Sequence, residues 1–187
     1  MAITALDDKT ALIVIDLQQG LRAYPVLQPF PELVARAGEL ADAFRRRGLP
    51  VVLVNAAGLA PGRTDQRRVL GERAADWMEF VPELDRQPGD VVVTKHSPGA
   101  FGDTPLAAEL RARGVTQVVV IGVATSNGVE ATARGAYDLG FNVTLPLDAI
   151  TDVDAASHEH AATRVFPRIA ETGLTADVLA LLSTRGA

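Results

Sequence analysis

The sequence predicts an α/β fold of three layers, α/β/α, with a parallel sheet of about six strands and helices on both faces. Three observations predict it. Strand-length apolar runs recur: Ala11-Leu-Ile-Val-Ile15, Pro50-Val-Val-Leu-Val-Asn55, Val91-Val-Val-Thr94 and Val118-Val-Val-Ile121. These runs are continuous rather than alternating, the pattern of strands covered on both faces. Stretches with helical spacing lie between them, and alternating β and α elements imply parallel strands joined by crossovers. At 187 residues and 48% hydrophobic content, the chain suffices for a full core, read as one domain over 1–187.

The elements follow in order. After the first run, Leu33, Val34, Ala37, Leu40, Ala41 and Phe44 form one helical face, with Pro31 in its first turn and Gly48 at its stop. Residues 56–89 are irregular, rich in Gly, Pro and Arg, and hold the only tryptophan, Trp77. A stretch this long inside a compact domain reads as a functional loop or lid. Strand Asp90 to Thr94 leads to helix Thr104 to Arg113, closed by Gly114. Strand Gln117 to Ile121 runs through a Gly-rich turn into helix Ser126 to Leu139, stopped by Gly140. Strand Asn142 to Leu147, helix Ala155 to Ile169, a short strand at Glu171-Thr172 and helix Thr175 to Leu182 complete the chain.

Composition narrows the function. A net charge of −5, with the 18 Lys and Arg scattered apart from Arg45-Arg-Arg47, argues against nucleic acid as a partner. That triplet suits the carboxyl end of a helix, where cations complement the dipole. Without cysteine, there is no disulfide, no thiolate zinc site and no thiol nucleophile. The amino terminus lacks a signal-peptide pattern, and no apolar stretch nears the ~18 residues of a membrane helix. The expectation is a soluble, cytoplasmic protein without a membrane partner.

Chemistry-bearing residues sit at the ends of the apolar runs. Asp16 and Lys95 each end a strand, and ligands gather at the carboxyl ends of parallel strands. Burial there raises the pKa of an aspartate towards a usable acid or base, while a neighbouring ammonium opposes it. A purely structural ion pair would leave the same pattern. Gly122-Val-Ala-Thr-Ser-Asn-Gly-Val129 lacks the spacing of a phosphate loop. Thr125 and Ser126 are placed to cap the following helix, whose first N–H groups suit an oxyanion or carboxylate. Ser126 has no base near it in sequence to make it a nucleophile. His158 and His160, two apart on a helix, face different ways and read as surface residues, so neither a metal nor a cofactor is expected.

Taken together, these segments resemble the isochorismatase-like hydrolase superfamily, which also holds nicotinamidases and N-carbamoylsarcosine amidases. The matching stretches are Ala11-Leu-Ile-Val-Ile-Asp-Leu-Gln18, Lys95-His-Ser-Pro-Gly-Ala-Phe101 and Gly122 to Gly140, with Leu147-Asp-Ala149 and Phe166-Pro-Arg168 after them. The resemblance implies that Asp16 is the acid/base aspartate, that Lys95 is the family's lysine, and that Gly128 stands where the amidases carry their cysteine. It also implies a cis peptide at Val123–Ala124, and substrate contacts from Asn55, Phe101, Ala124, Ser126 and Asn127. The true isochorismatases are similar in having glycine at that position; they cleave a vinyl ether by proton delivery and water, with no covalent intermediate. This chain departs from them in having Ala56, beside Asn55, where they carry a glutamine. The nicotinamidase Asp-x-His metal motif is absent.

The resulting expectation is a hydrolase of a small, anionic metabolite that uses Asp16 and Lys95 without a covalent nucleophile and forms a homo-oligomer by family resemblance. The alternatives are a catalytically silent relative that binds a small molecule, and an amide hydrolase that uses activated water.

Overall fold

The computed structural model describes residues 3–65 and 71–184. The strands are β1 (Thr10–Ile15), β2 (Val51–Ala56), β3 (Val91–Lys95), β4 (Gln117–Val123), β5 (Asn142–Pro146), β6 (Ile150–Thr151) and β7 (Glu171–Gly173). They form one parallel sheet in the order β3-β2-β1-β4-β5-β7, with the two-residue β6 set against the end of β4. Helices α1 (Phe30–Arg46), α2 (Leu106–Ala112), α3 (Glu130–Asp138), α4 (Ala155–His160) and α5 (Thr175–Thr184) cover it.

β1 is central and buried at every position, so both of its faces must be apolar. Leu12 and Val14 join the core formed with α1 and α5. Ala11, Ile13 and Ile15 join the core formed with α2, α3 and the turns at 161–168. Period-two alternation therefore survives inside a run that looks uniform, because each face meets its own helix layer. β3 departs from the expected continuous run. It is an edge strand, Val92 is 40% exposed, and its burial alternates.

α1 follows its predicted apolar stripe. Arg45 near its end donates to both oxygens of Asp90, at 3.1 and 2.7 Å, and to Asp42. The arginine triplet thus fastens α1 to the start of β3 as well as meeting the helix end. Two long helices expected from the sequence are broken. Thr125–Val129 is a π-helical turn before α3. Helix 155–169 ends as α at His160 and continues through a π turn, Ala161–Val165, and a 3-10 turn, Phe166–Arg168. Pro167 lies in that last turn, where its missing N–H removes a helical donor. Among the described residues, no helix is long and apolar enough to cross a membrane.

Gly122 sets the centre of the sheet. It pairs with Ile15 and has φ +117°, and a Cβ built on it would sit on the Ile15 carbonyl oxygen. Gly122→Ala should cost roughly 3 kcal/mol or more, from backbone strain together with overpacking against an immobile strand. Urea denaturation should show it as a lower midpoint at unchanged slope.

Candidate active site

Strand order reverses between β1 and β4, because the chain builds β2 and β3 on one side and β5 and β7 on the other. The crevice outside the carboxyl ends of such a pair is where open α/β sheets hold ligands. Asp16 leaves β1 there, and the Thr125–Val129 turn leaves β4 beside it. Asp16 has a left-handed backbone, φ 57°, a conformation that aspartate tolerates better than most residues.

Lys95 lies two strands away, roughly 10 Å at the usual strand spacing. Its long stem spans that gap over the end of β2, where its register partner is the small Ala56. Nζ donates to Asp16 Oδ2 at 2.8 Å. Lys95 is 3% and Asp16 7% exposed, so the pair is almost out of water. Asp16 Oδ1 is buried and has no hydrogen-bond partner among the described residues. Burial pushes the Asp16 pKa from 3.8 up to about 6, with Lys95 pulling it partly back. Removing a carboxylate from water penalises its charged form more than one ammonium compensates.

Gly128 stands against this pair. A Cβ built on it would lie 3.3 Å from Asp16 Oδ2, 3.0 Å from Ile15 Cγ2 and 3.1 Å from the Val123 carbonyl oxygen. The three residues from three strand ends therefore converge as the sequence implied. The Val123–Ala124 peptide is cis, also as the resemblance implied.

Other expected contacts are placed differently. Two N–H groups at the start of the turn, those of Ser126 and Asn127, are already taken. Ser126 N donates to Asp152 Oδ2 at 2.7 Å, and Asn127 N donates to the Ala124 carbonyl at 3.0 Å. The same carbonyl also accepts from Val129 N at 3.1 Å, the five-residue contact of the π turn. The side chains of Ser126 and Asn127 are exposed, and Ala124 is half-buried. Asn55 has its amide engaged at both ends, donating to the Met78 carbonyl at 2.8 Å and accepting from Thr94 Oγ1 at 2.7 Å. Phe101 packs against Gly135 and stacks on Phe141 with centroids 6.0 Å apart, so its ring serves the α3 side. His158 is not a surface residue of no consequence, since its Nδ1 lies 2.8 Å from the Oγ1 of fully buried Thr125.

Several positioning groups escaped the sequence. Gln18 is fully buried; it donates to the carbonyls of Ala56 (3.3 Å) and Trp77 (3.0 Å) and accepts from Ala56 N at 2.8 Å. Its place two residues beyond Asp16, an amide just past an apolar strand, was the available signal. Thr132 Oγ1 donates to the Gly128 carbonyl at 2.7 Å and accepts from Ala100 N at 3.1 Å, tying the turn to the loop after β3. No local pattern marks that contact. Two cavities, of about 340 and 290 Å³, open elsewhere. One is lined by Gln117, Tyr137 and Asn142 at the amino ends of β4 and β5, the other by Leu147 and Leu174. Neither includes the pair.

A parallel sheet with this strand order, and an acid–base pair at its switch point, places the chain in a recognisable class of three-layer α/β proteins. The family model described as "Isochorismatase domain" matches residues 10–177, and the chain belongs to the isochorismatase family. YwoC of Bacillus subtilis, an isochorismatase family protein, is 40% identical over 179 residues, 91% of this chain and 93% of its own. The structure of an isochorismatase family protein from Burkholderia thailandensis is similar with a TM-score of 0.93 at 40% identity, covering 98% of this chain and 100% of that one. Streptothricin hydrolase of Streptomyces noursei is 38% identical over 152 residues, 77% of this chain and 50% of its length. The family thus includes hydrolases.

A carboxyl whose folded pKa is raised binds its proton more tightly in the folded state. Asp16 therefore costs nothing below pH 3.8 and progressively destabilises the fold as pH climbs to about 6, by roughly 3 kcal/mol in full. The stability of the parent relative to Asp16→Asn should accordingly fall across that window in urea titrations; a constant difference would contradict the shift. Gly128→Ala should cost roughly 1–3 kcal/mol by crowding Ile15 and Asp16, measurable as a lower melting temperature.

Proposed function

We propose that the protein hydrolyses a small, anionic metabolite by acid–base chemistry at Asp16, with Lys95 as its electrostatic partner and no covalent nucleophile. The observation that carries this reading is the buried carboxyl itself. One oxygen is held by Lys95 at 2.8 Å, the other has no partner, and the pKa is raised to about 6. A proton on Oδ1 has no acceptor within the protein, so an incoming substrate atom is its natural acceptor. General acids work best with a pKa near the operating pH.

For a vinyl ether, Asp16 gives its proton to the terminal carbon, and positive charge develops on the carbon bound to oxygen. Water attacks there and returns a proton to Asp16, and the hemiketal collapses to a carbonyl and an alcohol. The bond that breaks is the carbon–oxygen bond. Lys95 stabilises the carboxylate that appears between the two proton transfers, and Gly128 keeps clear the space beside Oδ2 that a Cβ would crowd at 3.3 Å. Nothing in the sequence is required to form a covalent bond, in keeping with a chain that has no cysteine.

The near-complete burial of the pair favours one competing reading, in which Asp16 and Lys95 are a structural ion pair in a silent relative that only binds a small molecule. Turnover decides between them. With isochorismate and a panel of carboxylate-bearing enol ethers and amides, we expect product formation that iodoacetamide leaves unchanged. Asp16→Asn should lower the rate by roughly 10²–10⁴. Turnover should fall about tenfold per pH unit above about 6, as Asp16 loses the proton it must donate. Saturable binding with no turnover of any panel member would establish the silent reading, and preferential turnover of amides would establish water attack at an amide carbonyl.

A further inference from the structure

Lys95 is committed to Asp16 at 2.8 Å, and whenever Asp16 is ionised the two neutralise each other. A cation not committed to that carboxyl is better placed to hold an anionic ligand in either protonation state, and Arg73, on the segment between β2 and β3, offers one. Among the described residues no carboxylate pairs with Arg73. Arg22, Arg45, Arg113 and Arg134 each pair with a carboxylate, whereas Arg111, exposed on α2, shares the pattern more loosely, donating to the Leu139 carbonyl at 3.1 Å and lying 5.9 Å from the Phe141 ring centroid.

The Arg73 guanidinium is held in place without being neutralised. Its central carbon lies 3.8 Å from the centroid of the Trp77 ring, and Nη1 donates to the Ala57 carbonyl at 2.8 Å. Ala57 in turn donates its N–H to the Lys95 carbonyl at 2.8 Å. The charge therefore stands one residue beyond the end of β2, beside the strand end that delivers Lys95. Its platform is anchored as well. The Trp77 ring fills the space left by the missing side chain of Gly20, and the Trp77 carbonyl accepts from both Gly20 N and Gln18 Nε2 at 3.0 Å. Stacking uses the face of a guanidinium and leaves N–H groups on its edge, the geometry that grips a carboxylate through two parallel hydrogen bonds. A cation already immobilised loses less entropy on binding.

We propose that Arg73, laid on Trp77, is a carboxylate-binding subsite beside the Asp16–Lys95 pair, and that it selects small carboxylates over neutral analogues. The hydrolase reading enters only in placing the reacting atom at Asp16.

Trp77 is the only tryptophan in the chain, so its fluorescence reports on this position. The test titrates the intact protein with benzoate and with neutral benzamide while following that emission. Benzoate should give a saturable change that weakens with added salt, and benzamide should bind at least tenfold more weakly. Arg73→Gln should weaken benzoate at least tenfold. Arg73→Lys, which keeps the charge but loses the planar fork, should fall between. Circular dichroism would confirm that both variants are folded. Benzoate binding equal in Arg73→Gln and the parent, equal affinity for benzamide, or no saturable response to benzoate would each overturn the proposal. Arg73-dependent benzoate binding in a protein that turns nothing over would defeat the hydrolase reading and leave the subsite standing. Asp16-dependent turnover with benzoate binding indifferent to Arg73 would do the reverse.

Discussion

The approach of β4 to β1 at Gly122 governs the geometry of everything downstream. Ile15 and Gly122 are register partners at the last position where the two strands run side by side. Only a residue without a side chain, at φ +117°, lets the Ile15 carbonyl come so close. The next residue of β1 is Asp16, and the next residues of β4 bend into the turn that carries Gly128. If the two strands were held further apart, the carboxyl and the turn would separate together. The same strand end also carries β6, which pairs with Gly122 and Val123 and leads directly to Asp152. That carboxylate accepts from Ser126 N at 2.7 Å and fixes the turn from its outer side.

Around this centre, polar side chains act as fasteners rather than as reagents. Gln18 and Asn55 take the carbonyls of Trp77 and Met78, and backbone bonds from Gln19 to Glu79 and from Val81 to Leu17 extend the attachment. The segment at 77–81 is thereby strapped across the ends of β1 and β2. Buried amides satisfied at both ends are expensive to disrupt, since each lost partner leaves a desolvated group behind. The strap is therefore a rigid wall, and Trp77 is a fixed surface within it.

The sheet, its helices and the convergence of Asp16, Lys95 and Gly128 were legible in the sequence for a simple reason. Burial on two faces writes itself as uninterrupted Val, Ile and Leu, and a charge at the end of such a run stands out. The contacts that the sequence misplaced depend on a few degrees of backbone. Ser126 and Asn127 look like open helix-start donors, yet their N–H groups are taken by Asp152, which β6 brings to the end of β4, and by the Ala124 carbonyl three residues back. Phe101 sits in a matching segment and Asn55 at the end of β2, yet their side chains face Phe141 and Met78, a choice fixed by neighbours far along the chain. Val92 belonged to an apolar run and became exposed because β3 has no strand beyond it. Edge position is a property of topology, and local sequence does not carry it.

The Asp16–Lys95 pair also bears on how this chain would drift. It combines a buried carboxyl with a partnerless oxygen, a left-handed backbone at a residue other than glycine, and an ammonium 3% exposed. Well-packed apolar residues in place of such a buried pair are often neutral, or stabilising by about 1–4 kcal/mol. Selection for stability alone would thus favour erasing both members together, whereas losing either one would strand the other's charge in the core. Thermal improvement of this fold and preservation of its charged centre pull in opposite directions. A thermostable descendant that had exchanged the pair for hydrocarbon would keep its architecture and lose the charged centre at its strand ends.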